Sequence, residues 1–335
     1  MLGFCMDTIV DIVRAIGEPT RLRILVLLAR GELAAGEMST VLNQSQPRVS
    51  RHLKLLAEAG LLERRPEGAW VFFRLKTDGS AGRIIRAILD EVDKDDSILH
   101  RDLERLAQVQ AQREEVARAY FETAADEWHA LRRLHQPEAL VEAGLVDAVA
   151  GQHFGLHIDL GSGTGRMIEL FAPQARRAEG VDSSRKMLAL ARARLDDTGS
   201  GQASVRQADI LGLPYEDDCA DLVTIHQVLH YLPEPQAAIK EAARILKPGG
   251  TLLIADFAPH AFEELREVHA HRRLGFPDQE VTQWCEQFGL VVGAVEHIAP
   301  EAGQSGLAVT LWKAVLPASV APTVIKERLE SRITS

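Results

Sequence analysis

The chain has 335 residues, of which 46% are hydrophobic and 26% are charged, and its net charge is −10. This length predicts two domains, and the composition excludes a disordered protein. No apolar run approaches the roughly 20 residues that cross a bilayer. Acidic residues within the first apolar stretch argue against a secretory signal, so we expect a cytoplasmic protein. Three separated cysteines (Cys5, Cys219 and Cys285) form neither a disulfide framework nor a metal site.

The charge is unevenly distributed along the chain. Through Asp78 there are 11 Lys and Arg residues against 9 Asp and Glu, whereas the remainder has 27 against 39. The net charge therefore does not exclude nucleic acid as a partner of the first segment.

The first segment is predicted to be helical. Pro19 and the leucines that follow it at helical spacing predict a helix over 18–29, and a second helix is expected over 34–42. Ser45 as an N-cap and Pro47 in the first turn predict a third helix that ends near Ala59. Two helices joined by a tight polar turn are typical of a helix-turn-helix motif.

The third helix has an apolar face and a basic face. Val49, Leu53 and Leu56 share the apolar face, and the basic face suits the major groove of DNA, with a solvated amphipathic helix as the alternative. Residues 61–65 and 69–75 flank a turn at Pro66 and predict a hairpin, which would be a wing. The residues expected to contact DNA are Gln46, Arg48, Ser50, Arg51, His52, Lys54, Arg64, Arg65 and Arg74.

Residues 18–33 (EPTRLRILVLLARGEL) and 44–75 (QSQPRVSRHLKLLAEAGLLERRPEGAWVFFRL) resemble the ArsR/SmtB-type winged-helix repressors. The resemblance covers nearly all of residues 7–77. It implies a homodimer that binds double-stranded operator DNA through the helix at 46–59. Many members sense metals through a Cys-x-Cys pair after the Glu-Leu of the second helix. Here Glu32 and Leu33 are followed by Ala34, Ala35 and Gly36, so we expect no metal.

A connector follows the hairpin. Residues 98–134 are highly charged and have an interrupted apolar stripe, which predicts a long helix that could pair with its mate in a dimer; a solvated linker helix is the alternative. Residues 79–82 and 93–96 are the expected flexible points.

A glycine loop begins the second half of the chain. The strand-like residues 157–160 run into Gly161, Gly163 and Gly165, and a helix is predicted over 166–172. Glycines allow a ligand to approach the backbone closely, and the helix presents free N–H groups. The Gly-x-Gly-x-Gly spacing differs from the Gly-x-Gly-x-x-Gly of dinucleotide-binding loops, so it disfavours binding of a dinucleotide pyrophosphate. Asp182 ends the next strand, where a carboxylate can bind a ribose diol; an N-cap for the following helix is the alternative.

Strands and helices alternate after the glycine loop. Strands are predicted over 180–182, 205–209, 221–226 and 250–256, with helices over 184–195 and 235–246. This alternation predicts a parallel sheet with helices on both faces and ligands at the carboxyl ends of the strands.

Four motifs here resemble class I S-adenosylmethionine-dependent methyltransferases: IDLGSGTGRM, GVDSSRKMLALAR, QADILGLPYEDDCADLVTIHQVLHYL and RILKPGGTLLIADF. The resemblance spans roughly 155–315. It implies that Asp159 and the glycine loop hold the methionine end of S-adenosylmethionine or S-adenosylhomocysteine, Asp182 the ribose and Asp209 the adenine. The expected cofactor residues are Asp159, Gly161, Ser162, Gly163, Gly165, Asp182, Ser183, Met187, Asp209, Ile210 and His226.

Catalysis and sensing are both compatible with these residues. His226 and His230 are candidate catalytic residues, and hydrogen-bonded pocket lining is the alternative for both. We expect a multidomain α and α/β protein with a winged helix-turn-helix over 1–95, a helical connector over 96–136, a Rossmann-like methyltransferase domain over 137–316 and a tail over 317–335. The preferred function is transcriptional regulation, with repression expected, and the cofactor as effector. The alternative is an active small-molecule methyltransferase with an autoregulatory DNA-binding domain.

Overall fold

The computed structural model describes residues 6–67, 70–76, 79–93, 96–123, 138–196, 202–268, 271–299 and 307–318. No helix within these ranges is long and apolar enough to span a membrane. The tail predicted over 317–335 lies outside the described residues from residue 319 onward.

The N-terminal part is a winged helix, as predicted. Its elements are α1 (Met6–Ile16), α2 (Pro19–Leu28), β1 (Leu33–Ala34), α3 (Ala35–Leu42), α4 (Gln46–Glu58), β2 (Leu62–Glu67) and β3 (Trp70–Leu75). The three strands form an antiparallel sheet in the order β1-β3-β2. Glu18 caps α2 by accepting a hydrogen bond from the Arg21 amide, and Val49, Leu53 and Leu56 of α4 are buried in the core.

Two helices connect the winged helix to the rest of the chain: α5 (Gly79–Asp90) and α6 (Ser97–Thr123). The long connector helix is thus confirmed as far as Thr123, and residues 124–137 lie outside the described residues. The flexible point predicted at 79–82 is wrong, because these residues form the first turn of α5. Ala81 and Ile85 of α5 pack into the winged-helix core, and tertiary burial of this kind outweighs the low helix propensity of glycine.

The second half contains a seven-stranded sheet in the order β6-β5-β4-β7-β8-β10-β9. Its strands are β4 (His157–Leu160), β5 (Ala178–Asp182), β6 (Ala203–Gln207), β7 (Ala220–His226), β8 (Leu246–Phe257), β9 (Val291–Ile298) and β10 (Val309–Val315). Its helices are α7 (Glu138–Ala148), α8 (Arg166–Phe171), α9 (Arg185–Asp196), α10 (Pro235–Ile245), α11 (Glu264–Val268) and α12 (Asp278–Gln287).

The expected parallel sheet is only partly correct. Strands β6, β5, β4, β7 and β8 are parallel, but β10 pairs antiparallel with both β8 and β9. The side chains of β9 are exposed or half-buried along its whole length, so it lacks the continuous apolar run by which a buried parallel strand is recognised. Two apolar clusters, around Phe171 and around Trp312, pack on the sheet.

Candidate functional site

The loop between β4 and α8 turns on three glycines with positive φ angles: Gly161 (74°), Gly163 (50°) and Gly165 (80°). A Cβ atom on Gly161 would lie 2.5 Å from the Val228 side chain, so only glycine fits there. A Cβ atom on Gly163 would meet no atom of the described residues within 4 Å. The loop therefore packs tightly on one side and leaves room for a ligand at Gly163.

Two polar side chains lie at the base of this loop. Ser162 is buried, and its Oγ has no hydrogen-bond partner among the described residues. Asp159 is 2% exposed and accepts a hydrogen bond of 2.6 Å from the Thr224 hydroxyl, which His157 Nε2 contacts at 2.8 Å. Burial raises the pKa of Asp159 to about 7 and lowers that of His157 to about 3. A ligand cation beside Asp159 would favour its ionised form.

Asp182 stands at the end of β5 and orders the surrounding backbone. One carboxylate oxygen accepts from the Gly163 amide at 2.9 Å, and the other accepts from the Ser184 amide at 2.7 Å. The carboxylate is only half-buried. It therefore connects the glycine loop to the residues before α9 and lies where an incoming diol could compete for its oxygens.

The remaining predicted cofactor residues surround the same edge of the sheet. Asp209 is exposed, two residues beyond the end of β6, and its carboxylate accepts from the Leu211 amide at 2.9 Å. The strand predicted over 205–209 thus begins and ends two residues earlier than expected, at 203 and 207, since this turn follows it. Met187 and Ile210 are half-buried, and Ser183 is exposed directly after Asp182.

The two candidate catalytic histidines have different surroundings. His226 is half-buried at the end of β7, and desolvation lowers its pKa to about 4 although Asp256 and Glu142 act in the opposite direction. His230 is 1% exposed, and its Nδ1 lies 2.7 Å from an Asp256 oxygen. His226 is therefore neutral at pH 7 and weakly basic, while His230 is fixed inside the domain.

Asp256 is a buried residue beside the candidate histidines that the sequence analysis did not include among the site residues. Besides contacting His230, its carboxylate accepts hydrogen bonds from the Leu229 and Phe257 amides. His271 stacks on Phe257 and lies 4.2 Å from the His230 ring, centroid to centroid. Asp256 at the end of β8 thus fixes the short helix at 229–231, and its position at a strand end was the available sequence signal.

The recognition helix α4 presents most of the predicted DNA-contacting residues. The side chains of Gln46, Arg48, Ser50, Arg51 and Lys54 are exposed. His52 is an exception, because its side chain is only 13% exposed and lies 3.6 Å from a Glu18 oxygen. A direct contact between His52 and DNA therefore does not fit this arrangement.

The wing is the second departure from expectation. Arg64 is exposed, but Arg65 and Arg74 are 3% and 4% exposed. Both guanidinium groups bind the Glu179 carboxylate of β5, at 2.8 and 2.7 Å. In this arrangement these two arginines are paired inside the protein instead of facing DNA. No local sequence pattern signals the pairing, since Glu179 is more than a hundred residues away along the chain.

Metal-ligating residues do not cluster in the described ranges: no group of three or more His, Cys, Asp or Glu side chains there has the geometry of a metal site. Cys219 is half-buried and Cys285 is buried, and each is a free thiol.

Comparison with known proteins identifies both parts. The family model of arsR-type bacterial regulatory proteins matches residues 18–64, and a methyltransferase-domain model matches residues 158–254. The arsenical resistance operon repressor of Escherichia coli (strain K12) is 46% identical over 67 residues, which are 20% of this chain and 57% of that protein.

The relatives that match the second part include two methyltransferases from different bacteria. The uncharacterized methyltransferase YcgJ of Bacillus subtilis (strain 168) is 30% identical over 103 residues, 30% of this chain and 41% of that protein. The demethylmenaquinone methyltransferase of Clavibacter sepedonicus is 35% identical over 113 residues, 34% of this chain and 44% of that protein. The chain thus spans about half the length of these curated relatives. Taken with the two family matches, the chain is a fusion of an arsR-family helix-turn-helix segment with a Rossmann-like methyltransferase domain.

Proposed function

We propose that this protein is a transcriptional repressor whose methyltransferase domain binds S-adenosylhomocysteine or S-adenosylmethionine as an effector. The observation that carries the proposal is that an exposed basic recognition helix and a ligand-accommodating glycine loop occur in one molecule whose two parts share buried contacts. A winged helix has no evident use in methylating a small molecule, whereas a ligand-binding domain in direct contact with it supplies a sensor.

The residues present fit the proposed ligand. The room at Gly163, the buried Asp159 carboxylate and the Ser162 hydroxyl, which has no hydrogen-bond partner in the described ranges, suit a polar amino-acid end. Asp182 suits a ribose diol. When bound, S-adenosylmethionine supplies an electrophilic methyl group on a sulfonium, and S-adenosylhomocysteine lacks both the methyl and the charge. We favour the homocysteine form as effector, because a sensor of the spent cofactor reports the cell's methylation load.

We further propose a cytoplasmic homodimer that binds double-stranded DNA. Helix α1 exposes apolar side chains, with Met6 at 81%, Val13 at 57% and Ile9 at 43% exposure. An apolar face of this kind at the start of a winged helix is suited to burial against a second copy. Sedimentation of the wild type and of an Ile9→Glu, Val13→Glu variant tests this, with a dimer expected only for the wild type.

The competing proposal is an active methyltransferase. Its support is the resemblance to methyltransferases of known reaction, such as the demethylmenaquinone enzyme, and the position of His226 at a strand end. Methyl transfer depends mainly on in-line positioning, and it needs a base only when the acceptor must lose a proton. A histidine with a pKa of about 4 is a weak base at pH 7, so His226 suits an acceptor that need not lose a proton. The sensor is preferred because of the winged helix, which small-molecule methylation does not need.

The deciding experiment titrates DNA affinity with each ligand. The duplex is selected from a random library by the wild-type protein, and its affinity is measured with S-adenosylhomocysteine or S-adenosylmethionine, for the wild type and for Asp182→Ala. We expect a change of about fivefold or more for the wild type and none for the variant. Equal DNA affinity with and without saturating ligand in the wild type overturns the sensor proposal.

The enzyme proposal has its own test. Transfer of labelled methyl groups to candidate acceptors is measured for the wild type and for His226→Ala. Sustained turnover by the wild type that His226→Ala loses would establish catalysis. A protein that binds S-adenosylmethionine but never transfers its methyl group leaves the sensor as the function.

A further inference from the structure

The wing hairpin has two faces with different partners. Leu62, Phe73 and Leu75 point into the winged-helix core. The opposite face carries Glu63, Arg65 and Glu67 from β2 and Phe72 and Arg74 from β3, and it packs against the second domain instead of facing solvent. Because side chains alternate along a strand, one hairpin serves both contacts.

Glu179 is the centre of the contact on the methyltransferase side. It is 0% exposed, and its carboxylate binds Arg65 at 2.8 Å, Arg74 at 2.7 Å and Arg177 at 2.6 Å, with Tyr215 donating at 3.1 Å. These arginines hold the pKa of Glu179 well below its usual range, although burial alone would raise it. The carboxylate is therefore ionised and compensated by two wing residues.

Arg192 of α9 forms the second half of the contact. Its Nε donates to Glu32 at 2.7 Å, its terminal nitrogen binds Glu67, and its guanidinium lies 3.6 Å above the Phe72 ring. Arg192 is 5% exposed. Each part therefore supplies both positive and negative partners to the ion pairs across the interface. Arginines of the wing bind a glutamate of the sheet, and glutamates of the winged helix bind an arginine of α9. We call this set of pairs the wing interface.

The wing interface reaches the residues of the candidate ligand site. The Glu67 carboxylate accepts a hydrogen bond of 3.2 Å from the Gln207 amide at the end of β6. Gln207 pairs with Asp182 in the sheet, and its side chain donates to the Ser183 carbonyl at 3.0 Å. Glu179 is on the same strand as Asp182, and Arg192 is on the helix that follows it. A ligand at Asp182 would therefore act on elements that also hold the wing.

The chemistry of the wing interface allows it to separate. Buried charges are stabilised only while their partners remain in place. Because burial removes both charges from water, a buried ion pair often has no lower free energy than the same two charges when they are hydrated. A cavity of about 470 Å³ adjoins the interface and is lined by polar residues that include Glu63, Arg65 and Glu179. Water entering there can hydrate these charges as they part, so separation does not create an isolated charge in an apolar core.

We propose that the wing interface is an autoinhibitory contact that withholds Arg65 and Arg74 from DNA phosphates and whose strength depends on the ligand bound at Asp182. The inhibitory contact stands on the ion pairs alone, and its dependence on ligand rests on the proposed function. When the interface opens, the two arginines become exposed on the face of the hairpin opposite Arg64, and DNA binding strengthens.

Hydrogen exchange at the backbone amide of Gln207 tests the inhibitory contact without DNA or ligand. The Gln207 amide donates across the interface to Glu67, while the neighbouring Ala208 amide donates to the Asp182 carbonyl within the domain. Residue-resolved hydrogen exchange is compared in the wild type, Glu179→Gln and Glu241→Gln. Glu241 pairs with Arg244 inside the methyltransferase domain and serves as the matched control.

In Glu179→Gln we expect the exchange rate of the Gln207 amide to rise about tenfold or more and that of the Ala208 amide to stay unchanged. In Glu241→Gln both amides should exchange at the wild-type rates. Equal exchange at Gln207 in the wild type and Glu179→Gln overturns the proposal. If Glu179→Gln also loses protection at Ala208, Arg74→Gln, which removes a partner from the wing side, replaces it under the same criteria.

DNA binding tests the consequence. Glu179→Gln should bind the selected duplex more tightly, with the slope of log affinity against log salt steeper by up to about 2, since two more phosphates are contacted. The effect of S-adenosylhomocysteine on DNA affinity should shrink in this variant. An unchanged salt slope contradicts the inhibitory role. A wild type that does not respond to ligand refutes the proposed function, while the exchange experiment still decides on the contact.

Discussion

The buried Asp159 carboxylate has a pKa raised to about 7 because it is desolvated in the sheet, with Thr224 as its hydrogen-bond donor. An ammonium group of a bound ligand would interact with the ionised form alone. Binding and deprotonation of Asp159 are therefore linked, and at neutral pH the site is near the midpoint of that titration.

A pH dependence of ligand binding follows from this linkage. Affinity for S-adenosylhomocysteine should rise by up to about tenfold per pH unit as pH increases toward about 7, and level off above it, because ionised Asp159 is then already available. Titration calorimetry from about pH 5.5 to about pH 8.5 measures it. Asp159→Asn should bind more weakly and without this slope, and Asp147→Asn, an exposed position on α7, should match the wild type. A wild-type affinity that is constant across the range contradicts the assignment.

Gly163 gives a second residue-level prediction. Replacing it with alanine places a methyl group, at a φ of 50°, where no atom of the part of the chain that the structure describes lies within 4 Å. Gly151 is a matched control, since its φ is 75° and its added Cβ also meets nothing within 4 Å. Both changes should cost about 1–2 kcal/mol of stability from backbone strain.

Only Gly163→Ala should weaken S-adenosylhomocysteine binding, by about tenfold or more, because only there would the methyl group occupy ligand space. Thermal unfolding and calorimetry measure the two effects. Loss of affinity in both variants, or in neither, would show that the open space at Gly163 is not the ligand site.

At the level of elements, α4 is exposed along the face expected to meet DNA. Arg48→Ala and Arg51→Ala should each lower the slope of log affinity against log salt by about 1, provided that each contacts one phosphate. Arg101→Ala, an exposed arginine on α6, is the control and should leave the slope unchanged. Filter binding or fluorescence anisotropy across a salt series measures it. Slopes that fall equally in all three variants would point to nonspecific charge instead of a recognition helix.

Elements with strong local signals were predictable from the sequence. The helices α2, α3 and α4 and the strand β4 end within one or two residues of their predicted limits, because proline, N-cap and glycine positions mark them. The antiparallel strands β9 and β10 were missed. Strand β9 is an exposed edge strand with little apolar signal, whereas β10 is mostly buried and its apolar residues were a signal that went unused. The burial of Arg65 and Arg74 was also missed, because it depends on Glu179, a partner that no local pattern reveals.

At the scale of the whole molecule, more than one connection joins the DNA-binding part to the methyltransferase domain. One connection is the predicted long helix α6, which touches both parts through Arg113: its guanidinium binds Glu37 at 2.7 Å and Asp196 at 2.9 Å. The wing interface is a second and more direct connection, since Glu67 contacts the strand end beside Asp182. We propose that ligand binding affects the DNA-binding part through these packed elements.

Reciprocity of binding is the most direct test of the regulator proposal. If S-adenosylhomocysteine changes DNA affinity by some factor, DNA must change S-adenosylhomocysteine affinity by the same factor. The measurement is the dissociation constant of S-adenosylhomocysteine for the full-length protein with and without a saturating concentration of the selected duplex. We predict two values that differ by about fivefold or more and by the factor seen in the DNA titration. Identical values would contradict the account.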